Sequence, residues 1–194
     1  MALSRIMLTG VPGVGKTTVS SQPTISDLGI RVQNFGQVMF LIGKQRKLVS
    51  DIKDLESLTI EQRAELQTDA AKQIAADNSA LGIVIDGHVI VDTSSGFVPG
   101  LPIDCVSILN LSSIVMLSSH PSDVVSRRSN HVNKYGMMKQ WSDEERVETH
   151  QKVVFQVSLQ YSLLSQSSFD ILENRQGCLV KTAEDFRDFL TRYI

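Results

Sequence analysis

Gly10-Val11-Pro12-Gly13-Val14-Gly15-Lys16-Thr17 is the stretch on which the reading of this chain turns. It fits Gly-x-x-x-x-Gly-Lys-Ser/Thr without a gap. The glycines let the backbone curl so that successive amide N–H groups face inward at an anion. Lys16 is placed to reach the β and γ phosphates of a nucleoside triphosphate, and the Thr17 hydroxyl to ligate Mg2+. Just before the motif, Ile6-Met7-Leu8 reads as a strand buried on both faces. Just after it, Lys16–Ser21 reads as a helix start, whose positive end adds to the anion site. A glycine-rich turn with an unrelated lysine would need neither neighbour.

Working outward, Pro23 should stop that first helix early. Ile30–Asn34 is a weaker strand, and Gly36–Gly43 a short helix carrying Val38, Met39, Leu41 and Ile42. Thr59-Ile60-Glu61-Gln62 has the form of a capping box. The alanine-rich helix behind it runs to about Asp77, with Ile60, Ala64, Ala71 and Ile74 on one side. Ile83-Val84-Ile85 forms a strand ending at Asp86, where ligand crevices of open α/β sheets lie. Asp86 is therefore the candidate to hold the metal through water, a capping or turn aspartate being the alternative. Ser113–Leu117 and Phe169–Leu172 are two further strands. Ser142–Glu145 offers a second capping box, followed by Val147, His150, Val154, Val157, Tyr161 and Leu164 at alternating steps of three and four. Ala183–Ile194 closes the chain as an amphipathic helix. Strands alternating with helices predict a three-layer α/β/α fold around a mainly parallel sheet. Thr93–Pro102 and Asn130–Trp141 read as irregular segments suited to carry function.

The bulk numbers set limits. The 194 residues suffice for one α/β domain, and 42% apolar with 21% charged residues fits an ordinary globular chain. A formal net charge of −2 argues against a generic nucleic-acid or acidic-membrane binder, so an anionic ligand must be held by local groups. Cys105 and Cys178 match no metal spacing and no disulfide framework. The N-terminal apolar run is too short for a signal peptide, and no stretch reaches the length of a membrane span. A cytoplasmic protein is expected.

The order of Gly10 to Thr18, then Asn34-Phe35-Gly36, Asp86-Gly87-His88, Gly96-Phe97-Val98-Pro99-Gly100-Leu101-Pro102, Arg127-Arg128 and His150-Gln151 resembles the archaeal type of adenylate kinase over nearly the whole chain. The resemblance implies a P-loop nucleoside monophosphate kinase fold with a five-stranded parallel sheet, in a single domain spanning 1–194. It implies an AMP-binding region at about 34–80 and a small lid at about 128–141. The implied reaction is reversible, Mg2+-dependent transfer of the γ-phosphoryl group of ATP to AMP, giving two ADP. Carried over by position, Gly10, Val11, Pro12, Gly13, Val14, Gly15, Lys16, Thr17 and Thr18 bind ATP. Asn34, Phe35, Gly36, Met39, Lys53, His88, Pro99, Gly100 and Leu101 border AMP, with Lys53 about where the family has an arginine. Lys16, Asp86, Arg127 and Arg128 form the catalytic set, and Thr17 with Asp86 (via water) the metal site. The implied partners are nucleotides alone, and members of the family often form homo-oligomers.

Arginine suits such a site because its planar fork clamps phosphate where lysine offers a point charge. Here the chain departs from the family. After Arg127-Arg128, further arginines give way to a segment carrying Lys134 and Lys139, and Val154-Phe155 stands in place of the family's Asn-Arg. The two lysines read either as substitute lid charges or as solvated loop residues. Asn133-Lys134-Tyr135-Gly136 lacks the aspartate of a guanine-reading motif and implies no guanine specificity. His88 reads as facing phosphate or as a packed or capping side chain, and His150 as a satisfied buried histidine. Two other functions stay open: a kinase of a different small acceptor, and a nucleotide-binding regulatory protein with weakened catalysis.

Overall fold

A computed structural model describes residues 3–130 and 143–194. Lys134, Lys139, the Asn133–Gly136 run, Ser142 and most of the expected lid lie outside the described residues. Among those described, five parallel strands form one sheet in the order β2-β3-β1-β6-β7. They are β1 (Ser4–Thr9), β2 (Ile30–Asn34), β3 (Gly82–Asp86), β6 (Ser113–Ser118) and β7 (Ser168–Glu173). The contiguous apolar runs seen in the sequence occupy the three central strands. Ile6, Met7, Leu8, Ile83, Val84, Ile85, Ile114 and Val115 are fully buried, as strands covered on both faces require. Each such side chain contributes roughly 1.5–3 kcal/mol.

Helices cover the sheet: α1 (Lys16–Ser20), α2 (Pro23–Ser26), α3 (Phe35–Gln45), α4 (Ile60–Ala76), α5 (Ile103–Leu109), α6 (Pro121–Asn130), α7 (Glu144–Ser165) and α8 (Leu179–Leu190). Pro23 ends the run after α1 by opening α2 at its first turn, where a missing N–H costs nothing. The capping box at Thr59 and Gln62 forms as read. The buried face of α4 differs. It starts only at Leu66 and continues through Gln67, Ala70, Ala71 and Ile74, leaving Ile60 and Ala64 exposed on the opening turns. The cap of α7 is Asp143, whose carboxylate accepts from the Glu145 amide at 3.0 Å. Its inner stripe starts with Val147, His150 and Val154 but moves to Ser158 and Ser162, with Leu164 exposed. A stripe read at 3.5 residues per turn drifts about 20° per heptad on a straight helix, so its far end rotates off the core.

The segment expected to be irregular at Thr93–Pro102 is partly regular. β4 (Ile90–Thr93) and β5 (Gly96–Pro99) form an antiparallel hairpin outside the main sheet, turning at Ser94-Ser95. A 3-10 helix at Ile52–Ser57 was also not foreseen. No helix among the described residues is long and apolar enough to cross a membrane.

Candidate functional site

β1 runs between β3 and β6, so the loop leaving its carboxyl end emerges at the middle of the sheet's edge. Gly10 makes that exit with φ 145°, and a Cβ there would lie 2.4 Å from the Leu117 carbonyl oxygen. Only glycine fits. Gly15 caps α1 at φ 102°, where a Cβ would meet the Asn174 amide at 2.4 Å. Val11 and Val14 are fully buried and pin the loop to the core from within. Lys16 folds back over the loop, its Nζ donating to the carbonyls of Gly10 (2.9 Å) and Val11 (3.4 Å). Burial lowers its pKa to about 8, opposed by the charge of Asp86 and reinforced by Arg128.

Register builds the second part of the site. Asp86 lies level with Leu8 on one side and Asn34 on the other. Its Oδ2 accepts from the Thr17 hydroxyl at 2.8 Å and from Asn34 Nδ2 at 3.3 Å. The other end of the Asn34 amide caps α3, accepting from the Gln37 amide at 2.9 Å. Thr17 and Asn34, drawn from separate sequence segments, thus converge on one carboxylate oxygen of Asp86, a buried residue. Hydroxyl and carboxylate oxygens in this arrangement are the donors a hard divalent cation prefers.

The turn after Asp86 joins this edge to the Pro99–Leu101 loop. His88 Nδ1 lies 2.9 Å from the Gly10 carbonyl oxygen, and the Val89 amide donates to Thr9 Oγ1 at 3.2 Å. The Val89 carbonyl in turn accepts from the amides of Gly100 (3.0 Å) and Leu101 (3.3 Å). Gln67 holds the Gly100 carbonyl at 3.0 Å, and the Tyr161 hydroxyl holds that of Leu101 at 2.7 Å. Burial, and then the Lys16 charge, keep His88 well below the ordinary imidazole pKa, so it is neutral at pH 7.

The arginine pair at the end of α6 points in two directions. Arg127 donates to the carbonyls of Val14 (3.1 Å) and Asn174 (2.9 Å) and to Gln176 Oε1 (3.2 Å), so its fork grips the loop after β7 and the back of the cradle. Arg128 lies across the front, with Nε on the Pro12 carbonyl at 2.9 Å. Burial draws its pKa to about 10, against the pull of Asp92.

Other residues named from the sequence sit elsewhere. Phe35 and Met39 are buried in the core beneath α3, and Leu101 is fully buried. Pro99 and Lys53 are exposed; the Lys53 amide donates to Asp51 at the start of the 3-10 helix. Thr18 is exposed on α1. His150 is buried, with Nε2 3.3 Å from the Ile90 carbonyl and its ring 5.2 Å from that of Phe97. Three features escaped the sequence reading. Asn174 donates to the Val14 carbonyl at 2.8 Å. Gln67, on the helix behind the Thr59 cap, reaches the Gly100 carbonyl with no local signal in the sequence. The third is on the hairpin, where Arg146 grips the Asp92 carboxylate with two N–H groups and lies 4.3 Å over the Phe97 ring. The one available signal was Asp92 inside an apolar stretch, a buried charge in want of a partner.

Comparison with known proteins points one way. The sequence model of a family described as an AAA domain matches residues 9–145. An adenylate kinase of Methanopyrus kandleri is 31% identical over 182 residues, covering 93% of this chain and 94% of that protein. One from Methanocaldococcus jannaschii is 30% identical over 190 residues, covering 95% and 97%. Among solved structures, a shikimate kinase from Bacteroides thetaiotaomicron matches with a TM-score of 0.57 at 15% identity, covering 98% of this chain and 99% of that one. A gluconokinase from Sinorhizobium meliloti matches at 0.52 and 15%, over 97% and 92%. These two likenesses speak to the fold alone.

Proposed function

This chain belongs to the adenylate kinase family and carries its AAA-domain match across the cradle and hairpin, and from that premise we propose that it transfers the γ-phosphoryl group of ATP reversibly to AMP, giving two ADP. The observation that carries this reading is the convergence of Lys16, Thr17 and Asp86 at the carboxyl edge of the sheet, beside the Pro99–Leu101 loop. Donor and acceptor nucleotides would thereby meet at one edge.

The geometry supports the following roles. Amides of Gly13 to Thr17 cradle the triphosphate, with the N-terminal end of α1 behind them. Lys16 turns from the Gly10 and Val11 carbonyls to the phosphates, and Arg128 faces them across the loop. Arg127 keeps the cradle in shape from behind. Asn34, Gly36, His88, Pro99 and Gly100 border the acceptor, over Phe35, Met39 and Leu101, with the acceptor region extending over about 34–80. The residues present fit magnesium: the Thr17 hydroxyl would ligate it and Asp86 would hold it through water. When bound, it would neutralise charge on the phosphate oxygens. Excluding water from this edge strengthens each of these charges.

The direct test is ADP formation from Mg-ATP and AMP. An absence of AMP-dependent ADP at high enzyme concentration would rule the reading out. A second reading, a different small acceptor, gains from the exposed position of Lys53 on its 3-10 helix. A panel of nucleoside monophosphates decides between them, since a preference for AMP removes the alternative.

A further inference from the structure

Two donors meet on one acceptor at the start of the cradle. The Gly10 carbonyl oxygen lies 2.9 Å from Lys16 Nζ and 2.9 Å from His88 Nδ1. Gly10 is buried, as are Lys16 and Asp86 around it. A carbonyl oxygen can only accept, so the hydrogen sits on Nδ1 of His88 and points at Gly10. If Lys16 swings to the phosphates of a bound nucleotide, it abandons this carbonyl. A buried carbonyl left without a donor is costly, whereas one that keeps a second donor is not.

The backbone fixes where His88 can be. Its own carbonyl is pressed against Gly100, where a Cβ would approach to 2.3 Å. The next residue is tied to β1 through Thr9 and to the Gly100 and Leu101 amides. His88 is therefore held from two sides and cannot follow Lys16. We propose that His88 is a positioning residue of the donor site: it keeps the Gly10 carbonyl satisfied from outside the loop, which frees Lys16 to leave for the nucleotide. This rests on the cradle being a triphosphate site but not on AMP being the acceptor.

The imidazole acts through one nitrogen, which makes the proposal separable from a role in touching the acceptor. Asparagine places its amide N–H near the position of Nδ1, and glutamine places it near Nε2. Mg-ATP binding is measured by calorimetry for His88→Ala, His88→Asn and His88→Gln, each alone and combined with Lys16→Met. His88→Ala is expected to weaken binding about tenfold, because binding now orphans the carbonyl. His88→Asn should recover most of that loss, and His88→Gln should not. With Lys16→Met present, His88→Ala should change affinity less than about twofold, because no amine leaves on binding. Thermal unfolding without nucleotide gives an independent arm. Either single substitution leaves one donor on Gly10 and lowers Tm little, while the pair lowers it by clearly more than the sum.

Recovery by glutamine rather than asparagine would assign the work to Nε2 and overturn the proposal. So would an equal effect of His88→Ala with and without Lys16, or additive Tm losses. AMP phosphorylation is followed separately, so a wrong acceptor would appear there while these binding ratios stand.

Discussion

Asn174 donates its side-chain N–H to the carbonyl of Val14 at 2.8 Å, across 160 positions of sequence. The same side chain fills the space that a Cβ on Gly15 would need, and its carbonyl oxygen accepts from Thr182 at 3.3 Å. The cradle is thus braced from behind by the end of the sheet's last strand. Asn174→Ala removes a buried bond and opens a gap next to Gly15. A loss of about 2 kcal/mol in denaturant unfolding is expected, together with weaker ATP binding. Asn174→Asp should bind ATP more weakly still, since its carboxylate cannot donate to Val14 and repels the phosphates.

Lys16 gives a pH dependence with a definite sign. Its folded pKa of about 8 lies below the ordinary lysine value of 10.5, so between these pH values the folded state holds fewer protons than the unfolded one. Stability should therefore rise from pH 8 to pH 10.5, the burden of the buried charge being fully present below pH 8. Lys16→Met should flatten this rise. Bound phosphates favour the charged amine, so ATP binding near pH 8.5 should take up a proton, and affinity should fall as pH climbs past 8. Calorimetry in buffers of different ionisation enthalpy reads the proton directly.

His150 supplies the acid limb. Burial lowers its pKa to about 4, below the ordinary 6.5, so the unfolded state binds the extra proton as pH falls through this window. Stability should drop from pH 6.5 toward pH 4, with His88 adding in the same direction. His150→Leu should make that limb shallower by up to about one proton in a plot of unfolding free energy against pH.

Besides the His150–Ile90 contact, an ion pair between Arg146 and Asp92 ties the hairpin to α7. The Asp92 carboxylate is only 7% exposed and the Arg146 side chain 34%. Removing the arginine takes two N–H donors from a buried carboxylate, whereas removing the aspartate leaves a cation that can turn to water. Arg146→Ala should therefore cost about 2–3 kcal/mol and Asp92→Ala less. The double variant should lose less than the sum of the two, as a denaturant-unfolding cycle would register.

The cradle and the central strands were legible in the sequence because their signals are local: a gapless motif, and apolar runs three or four residues long. Ser94-Ser95-Gly96 carries no strong hairpin dipeptide, and Phe97-Val98 is short, so β4 and β5 stayed hidden. Asn174 stayed hidden for a different reason. Its partner is the cradle itself, and nothing in Glu173-Asn174-Arg175 indicates a contact so far away in sequence. The stripe on α7 was right near Val147 and His150 and wrong near Leu164, because a small error in period grows along 22 residues. The resemblance puts Arg127 in the catalytic set; in the structure its fork lies on two backbone carbonyls and Gln176, contacts with no local signal in the sequence.

The proposed triphosphate cradle grows from β1, β3 and the neighbouring β6, the strands most thoroughly enclosed, whereas the β4–β5 hairpin pairs with none of the five. Lengthening or exchanging that hairpin would break no rung of the main ladder. A descendant lineage could retool what it phosphorylates while inheriting the donor machinery intact, much as a tool handle accepts a new bit.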